Sequence, residues 1–592
     1  MKPSALIFLF LFISFSLSTK AQGCLPNGIT FTSQQQVDNF ASNYPDCHEI
    51  IGDVTISFGI NNLAGLTPIT SIGGNLIING NSLINLEGLN NLISVGGYTK
   101  IKTISLVNLT GLESLEFIGG YLDISDCSSL INLSGLNSLT TINGYLLIDN
   151  NKVNEIGGVN NLTTLGGSLR IINNSFMTTI NGLINLISIN GDFIITENPL
   201  FTHPNGLGNL ETVIGNLEIT HNDELLNFVG FNNLNHINGD LKITWNPKIP
   251  NFEGLNTLET VGGGVDIVRN ESLLNFMGMN NLYTTGTDQF DRFLVLANTN
   301  LIDFEGLASI NSISDLTIGN DNNSLQSLQG LNTLETISYG SLNIGGDDLN
   351  ITNFEGLNNL KSIAIRFRVS GNDSLVNFAG LENLENIGFE FNISYNPLLQ
   401  NFSGLQNLSS ISHLYIEECP QLVDLSGLES IVNMNNTSIT IGNCDNFESL
   451  NGIQNIDYNT IETIHLEYID SLSDCSLPNV CTYLYNNGVA YITQNAPGCN
   501  SIQDILDHCA PLAINDENQM LEIEIFPNPT GDIFEIQTKI NIKKIIVYST
   551  LGSKIKEFEK ADAYNISDLN QGIYIVEIKT VKGSKFTKIL KN

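Results

Sequence analysis

Six side chains carry most of the chemical potential in this sequence: Arg170, Glu197, His221, Lys242, Trp245 and Arg269. Trp245 is the only tryptophan in the chain. An indole beside cationic side chains can stack on a sugar ring or help hold an anionic group. The period described below places all six on one outward strand face, as a ligand-binding set. A chance surface cluster is the competing and preferred reading.

Other chemistry is sparse. The sequence has no nucleophile elbow, P-loop, H-E-x-x-H or EF-hand loop. Its seven histidines are scattered, and none pairs with an obvious Cys or Asp partner. Gly262-Gly263-Gly264 reads as a bend of the repeat and not as a phosphate cradle. Asp321, Asp347 and Asp348 lie in Gly/Asn-rich bends that could attract a cation such as calcium, with solvated turns the preferred reading. We therefore expect no catalytic residue, metal or cofactor, and a protein that is not an enzyme.

What must position these side chains is a repeat. The segment 217–240, LEITHNDELLNFVGFNNLNHINGD, has the skeleton L-x-I-x-x-N-x-x-L-x-x-F-x-G-F-x-x-L-x-x-I-x-G. Seventeen glycines mark its recurrence, from Gly65 and Gly88 through Gly230 and Gly254 to Gly427 and Gly452. Successive glycines are 23 or 24 residues apart, apart from longer steps ending at Gly306, Gly356 and Gly452. A fixed period of this size marks a solenoid, which grows without a single central core. The L-x-I pairs Phe193/Ile195, Leu217/Ile219, Leu241/Ile243 and Phe391/Ile393 alternate with polar residues, as half-buried strands do. An asparagine follows three residues later, at Asn174, Asn198, Asn222, Asn246, Asn270, Asn298, Asn372 and Asn396. Turned inward, it would satisfy backbone groups of its own and the next turn. At about 4.8 Å per parallel strand, seventeen turns span roughly 80 Å.

The pattern resembles the leucine-rich-repeat family, with signature L-x-x-L-x-L-x-x-[N/C]-x-L, and within it the L domains of receptor ectodomains and similar bacterial surface proteins. The resemblance covers about residues 50–470 and implies a mainly β, parallel-stranded solenoid. It also gives Cys127, Cys419 and Cys444 a place. Each lies eight residues before a landmark glycine, at the ladder position where the family accepts Asn or Cys. Buried thiols are expected there, although Cys419 and Cys444, on adjacent turns, could be bridged.

The remaining cysteines flank the repeat. Cys24 and Cys47 bracket a polar, helix-like stretch in residues 22–50. A disulfide between them would tie a cap over the first turn of an exported solenoid. Cys475, Cys481, Cys499 and Cys509 mark a second cap, 471–515, whose end reads as a short helix. Four cysteines allow three pairings, which the sequence leaves open. A zinc site with His508 is the disfavoured alternative, because paired C-x-x-C spacing is lacking.

Charge and hydropathy complete the organisation. Residues 1–518 hold 13 Lys and Arg against 51 Asp and Glu, whereas residues 519–592 hold 11 against 9. That break separates two domains. The acidic body lacks the basic footprint that nucleic-acid binding requires. Residues 1–21, with Lys2, the apolar run 5–17 and small residues before Gln22, read as a secretory signal peptide, too short to span a membrane. Lipidation at Cys24 is a disfavoured alternative. No other stretch is long and apolar enough for a transmembrane span.

Residues 516–592 read as alternating strands of a small β-sandwich. Phe526-Pro527-Asn528-Pro529, the Gly572-Ile573-Tyr574 step and the Lys-rich end resemble the type A C-terminal sorting domain of the Bacteroidetes type IX secretion system. The resemblance implies export by that machinery and a mature protein released or held at the outer-membrane cell surface. The expected function is recognition or adhesion, with an unknown extracellular protein or glycan as ligand. A polysaccharide-binding module and a structural surface-layer component are the alternatives.

Overall fold

The computed structural model describes residues 23–286, 288–346, 349–509, 523–550, 553–580 and 583–592. The expected leader at 1–21, the boundary at 515/516, and Asp347 and Asp348 lie outside the described residues. The chain divides into two compact units, Met1–Cys509 and Ala510–Asn592.

The first unit is a parallel β-solenoid. Among the described residues its principal sheet has 20 strands joined in chain order, from Ile29–Phe31 to Val489–Asn495. Every pairing along it is parallel; Leu217–Thr220, for example, lies between Phe193–Thr196 and Leu241–Thr244. The L-x-I residues point inward and are fully buried, as at Leu217, Ile219, Leu241 and Ile243. Two-residue strands such as His236–Ile237 and Thr260–Val261 form further parallel ladders elsewhere in each turn. One continuous hydrophobic core runs from Phe31 to Cys509. Within it the repeated phenylalanines two residues before the landmark glycines stack from turn to turn. Phe252, Phe276 and Phe304 have ring centroids 5.3 and 5.2 Å apart.

The landmark glycines are a backbone necessity. Gly254 has φ +108°, and a Cβ there would lie 2.1 Å from the carbonyl carbon of Phe228 on the preceding turn. Only glycine combines that dihedral with so close an approach.

The asparagine ladder runs in the direction opposite to expectation. Asn222 Nδ2 donates to the Ile195 carbonyl of the preceding turn at 3.1 Å and to its own Thr220 carbonyl at 3.0 Å. Its own N–H is accepted by Asn246 Oδ1, from the following turn, at 3.1 Å. Each asparagine side chain therefore serves its own turn and the one before, because the strand carbonyls beneath it belong to the earlier turn. Asn151 and Asn322 are further members. Sulfur fills the same role at lower strength: Cys127 accepts the Thr103 N–H and Cys444 the Cys419 N–H, both at 3.4 Å. Cys127, Cys419 and Cys444 are buried free thiols, so the 419–444 bridge is not formed.

The caps do more than cover the ends. The N-terminal segment adds strand Ile29–Phe31 to the sheet before two short helices, Gln34–Asp38 and Phe40–Asn43. The C-terminal segment adds Val489–Asn495 between helices Pro478–Tyr485 and Ile502–His508. Disulfides join Cys24 to Cys47, Cys475 to Cys499 and Cys481 to Cys509. That settles the three-way choice left by the sequence. The first helix, Pro478–Tyr485, is carried by proline at its start and by buried Val480, Tyr483 and Leu484.

The second unit is antiparallel, with a three-stranded and a four-stranded sheet around Phe534, Ile545, Val547, Tyr564, Val576 and Ile578.

Candidate ligand-binding face

Each turn presents two rows of side chains outward from the principal sheet, together with the residue that ends the strand. Strand geometry fixes the first two, since alternate residues face away from the core. The terminal residue adopts a left-handed conformation, with φ 57° at Glu197, 55° at His221, 59° at Trp245 and 58° at Arg269. That bend sends the chain inward to the ladder asparagine.

The six singled-out residues therefore do not share one strand face. Arg170 and Lys242 stand on strands, in register with Ile194, Glu218 and Asp266. Glu197, His221, Trp245 and Arg269 occupy the left-handed terminal position on four consecutive turns. His221 and Trp245 are stacked, with centroids 5.3 Å apart and planes 14° from parallel. Arg269 lies over the indole, its guanidinium carbon 4.3 Å from the ring centroid. Both faces of Trp245 are thus occupied by neighbouring turns, and a sugar ring cannot lie on the indole without displacing one of them. Lys242 is ion-paired to Asp240 at 3.3 Å and Glu218 at 3.5 Å. Burial opposes its charge, but the two carboxylates hold its pKa above the ordinary lysine value. Arg170 lies 3.8 Å from Asp192.

Two outward clusters escaped the sequence reading. Tyr98, Tyr121 and Tyr145 stack at 4.5 and 4.4 Å on three successive turns. Lys100 and the buried Asp123 form a 2.8 Å ion pair nearby on the adjoining row. The signal was present as a tyrosine directly before the strand in three consecutive repeats.

The second is a cleft of about 450 Å³ over strands Leu316–Gly319, Leu342–Gly345 and Arg366–Ser370. Its lining includes Thr317, Asn320, Asn343, Arg368, Ser370 and Tyr395. Where other turns carry Thr220, Thr244 or Leu296 facing outward, these carry Gly319 and Gly345. Gly371 stands where other turns carry Trp245 or Tyr395. Loss of side chains in adjoining turns opens the depression, and the substituted glycines were its signal.

Among the described residues no group of three or more His, Cys, Asp or Glu is gathered as for a metal ion. Asp321 is exposed on a left-handed bend. No described helix is long and apolar enough to cross a membrane.

In the second unit, Phe526 ends strand Ile523–Phe526. Pro527 and Pro529 flank Asn528, which ties down the last strand: its Nδ2 donates to the Lys588 carbonyl and its Oδ1 accepts the Leu590 N–H, both at 2.8 Å. Gly572 opens strand Gly572–Thr580, and Tyr574 donates from its hydroxyl to the Asn570 carbonyl at 2.8 Å.

Taken together, these features define a mainly β, parallel solenoid consistent with the leucine-rich-repeat class, followed by an antiparallel accessory unit. Residues 524–592 of that unit match the family model of the secretion system C-terminal sorting domain. The tail marks the chain for export, to the cell surface or the medium. No curated protein matches the chain. Among solved structures, a chain in the crystal structure of the TLR13–ssRNA13 complex is similar at 16% identity. The match covers 72% of this chain and 79% of that one, with a TM-score of 0.22, too low to carry a conclusion.

Proposed function

We propose that this is an exported, non-enzymatic recognition or adhesion protein, delivered by type IX secretion machinery and binding an extracellular protein or glycan through the outward rows of its solenoid. The sorting domain at 524–592 is the observation that carries delivery. The division of labour within each turn supports the binding role. Leucine, isoleucine, phenylalanine, asparagine and glycine are consumed by core, ladder and bends, whereas the outward positions change freely from turn to turn. A rigid scaffold presenting variable side chains over many turns suits recognition.

The test uses the full-length chain expressed in a type IX-competent host. Mass spectrometry of the mature protein should show both the leader and the sorting domain removed. The purified product should then bind a discrete set of ligands on glycan and extracellular-protein arrays. Ordered self-assembly without any heterologous ligand would replace this reading with that of a structural surface layer. The specific form in which polysaccharide stacks on Trp245 is disfavoured by the occupied faces of the indole.

A further inference from the structure

We propose that the glycine-floored cleft over strands Leu316–Gly319, Leu342–Gly345 and Arg366–Ser370 is the ligand site, and that it takes a saccharide bearing a carboxylate. The proposal rests on the recognition role above and names its place and its ligand class.

The cleft is not simply where the backbone demanded glycine. At Gly319 and Gly345 a Cβ would strike the neighbouring turn, 1.9 Å from the Gly345 carbonyl oxygen and 1.8 Å from that of Ser370. Gly371 differs. A Cβ there would meet nothing closer than 3.5 Å. Its φ of 69° is close to the 59° of Trp245 and the 55° of Tyr395 at the same position of their turns. Large side chains are accommodated at this place in the repeat, so glycine at 371 keeps the cleft open.

The lining selects the ligand. Thr317, Asn320, Asn343 and Ser370 offer short hydroxyl and amide groups. Asn343 Nδ2 already donates to Thr317 Oγ1 at 3.1 Å, leaving its carbonyl oxygen to accept. Leu296 and Tyr395 supply the large apolar surface, and Tyr395 is 58% exposed. Protein hot spots sit in fully desolvated pockets at the centre of a broad, well-packed interface, whereas this cleft is small and lined largely by polar groups. Dense hydrogen-bonding groups beside one aromatic ring instead suit a pyranose, and the volume lies in the roughly 300–1,000 Å³ range of small-ligand sites.

Arg368 supplies the charge preference. In a chain of net charge −36 it has no ion pair among the described residues. Nearby Glu390 is already taken, by Arg366 at 3.1 Å and by Asn392 Nδ2 at 2.9 Å. A guanidinium without an ion pair among the described residues, at the lip of a polar cleft, matches a carboxylate through paired N–H donors.

Isothermal titration of the purified full-length chain with oligogalacturonate, and with a neutral oligoglucan of equal length, tests this. Oligogalacturonate should bind and the neutral oligomer should bind at least tenfold more weakly. Arg368→Met should abolish that preference. Tyr395→Ala and the cleft-filling Gly371→Tyr should each weaken binding roughly tenfold or more, while Trp245→Ala leaves it unchanged. Circular dichroism and thermal unfolding check that Gly371→Tyr is folded; should it not fold, Arg368→Met and Tyr395→Ala decide. Oligogalacturonate binding that survives all cleft variants overturns the site, and equal binding of the neutral oligomer overturns the ligand class. Absence of saccharide binding from a chain that still captures other array ligands overturns the cleft proposal alone. A chain that captures nothing overturns the recognition role with it.

Discussion

Asn246 Oδ1 accepts the backbone N–H of Asn222, one turn earlier, at 3.1 Å, while Asn246 Nδ2 donates to the carbonyls of Ile219 and Thr244 at 2.8 and 3.1 Å. One buried side chain thus bonds three backbone groups of two turns. Asn246→Ala would leave the buried Asn222 N–H without its acceptor and take a bond from the Ile219 and Thr244 carbonyls, of which Thr244 keeps the His221 N–H at 3.1 Å. We expect a loss of about 1–3 kcal/mol in unfolding free energy, the cost of a buried unsatisfied group. Asn246→Cys should cost less, because sulfur accepts the equivalent N–H at Cys127 and Cys444. Denaturant unfolding of the three proteins measures the order, and equal losses for Ala and Cys would contradict the ladder account.

Glycines divide into those the turns require and those they do not. Gly254→Ala must relieve a 2.1 Å contact with the Phe228 carbonyl carbon at a φ of +108°, and should lower stability by several kcal/mol or prevent folding. Gly208→Ala meets nothing within 4 Å and should change stability by less than about 1 kcal/mol. Thermal unfolding of the pair checks the contrast.

Three of the nine cysteines are buried free thiols and six are in disulfides. Burial pushes the Cys127 thiol up to about 11, so little of the nucleophilic thiolate exists at neutral pH. Cys444 is pushed up by its contact with Cys419 and by burial. The contact with Cys444 lowers Cys419 instead, so its protection rests on burial, and iodoacetamide at pH 7.5 should leave the folded protein unmodified. In denaturant without reductant it should add three groups, and after reduction nine. Intact-mass measurement reads each count directly.

His221 and Arg269 stack against Trp245 from the two adjoining turns. Removing Arg269 exposes one indole face, which is 4.3 Å from the guanidinium in the native fold. Arg269→Ala should shift the emission of this single tryptophan to longer wavelength and cost about 0.5–1 kcal/mol, the range for an exposed cation–π contact. Unaltered emission would mean that the pair is not formed in solution.

Burial lowers the pKa of His413 below its ordinary value of 6.5, with Glu390 opposing the shift and His465 adding to it. The unfolded chain then takes up a proton at a pH where the folded chain resists it. Stability should therefore fall as pH drops from 6.5 towards the folded-state value. Comparing the melting temperature from pH 7 to pH 5 with that of His413→Asn isolates this contribution. A variant with the same slope as the parent would remove His413 as its source.

The sequence by itself determined the solenoid. A strict period of apolar pairs, asparagine and glycine has few other solutions, because each turn can bury its L-x-I face only against the next. The sorting domain was legible for a similar reason, through Phe526 to Pro529 and the Gly572–Tyr574 step. Tertiary structure decided everything that depends on which atoms meet between turns. It ran the asparagine bonds backward, since the carbonyls under Asn222 belong to Ile195 and its own turn. It chose the pairings of Cys475 with Cys499 and Cys481 with Cys509, which spacing cannot rank. It closed both faces of Trp245, because residues 24 apart in sequence stand one strand spacing apart in space. And it opened a cleft at Gly319, Gly345 and Gly371, where side chains are missing from neighbouring turns and only stacking reveals the depression their absence leaves.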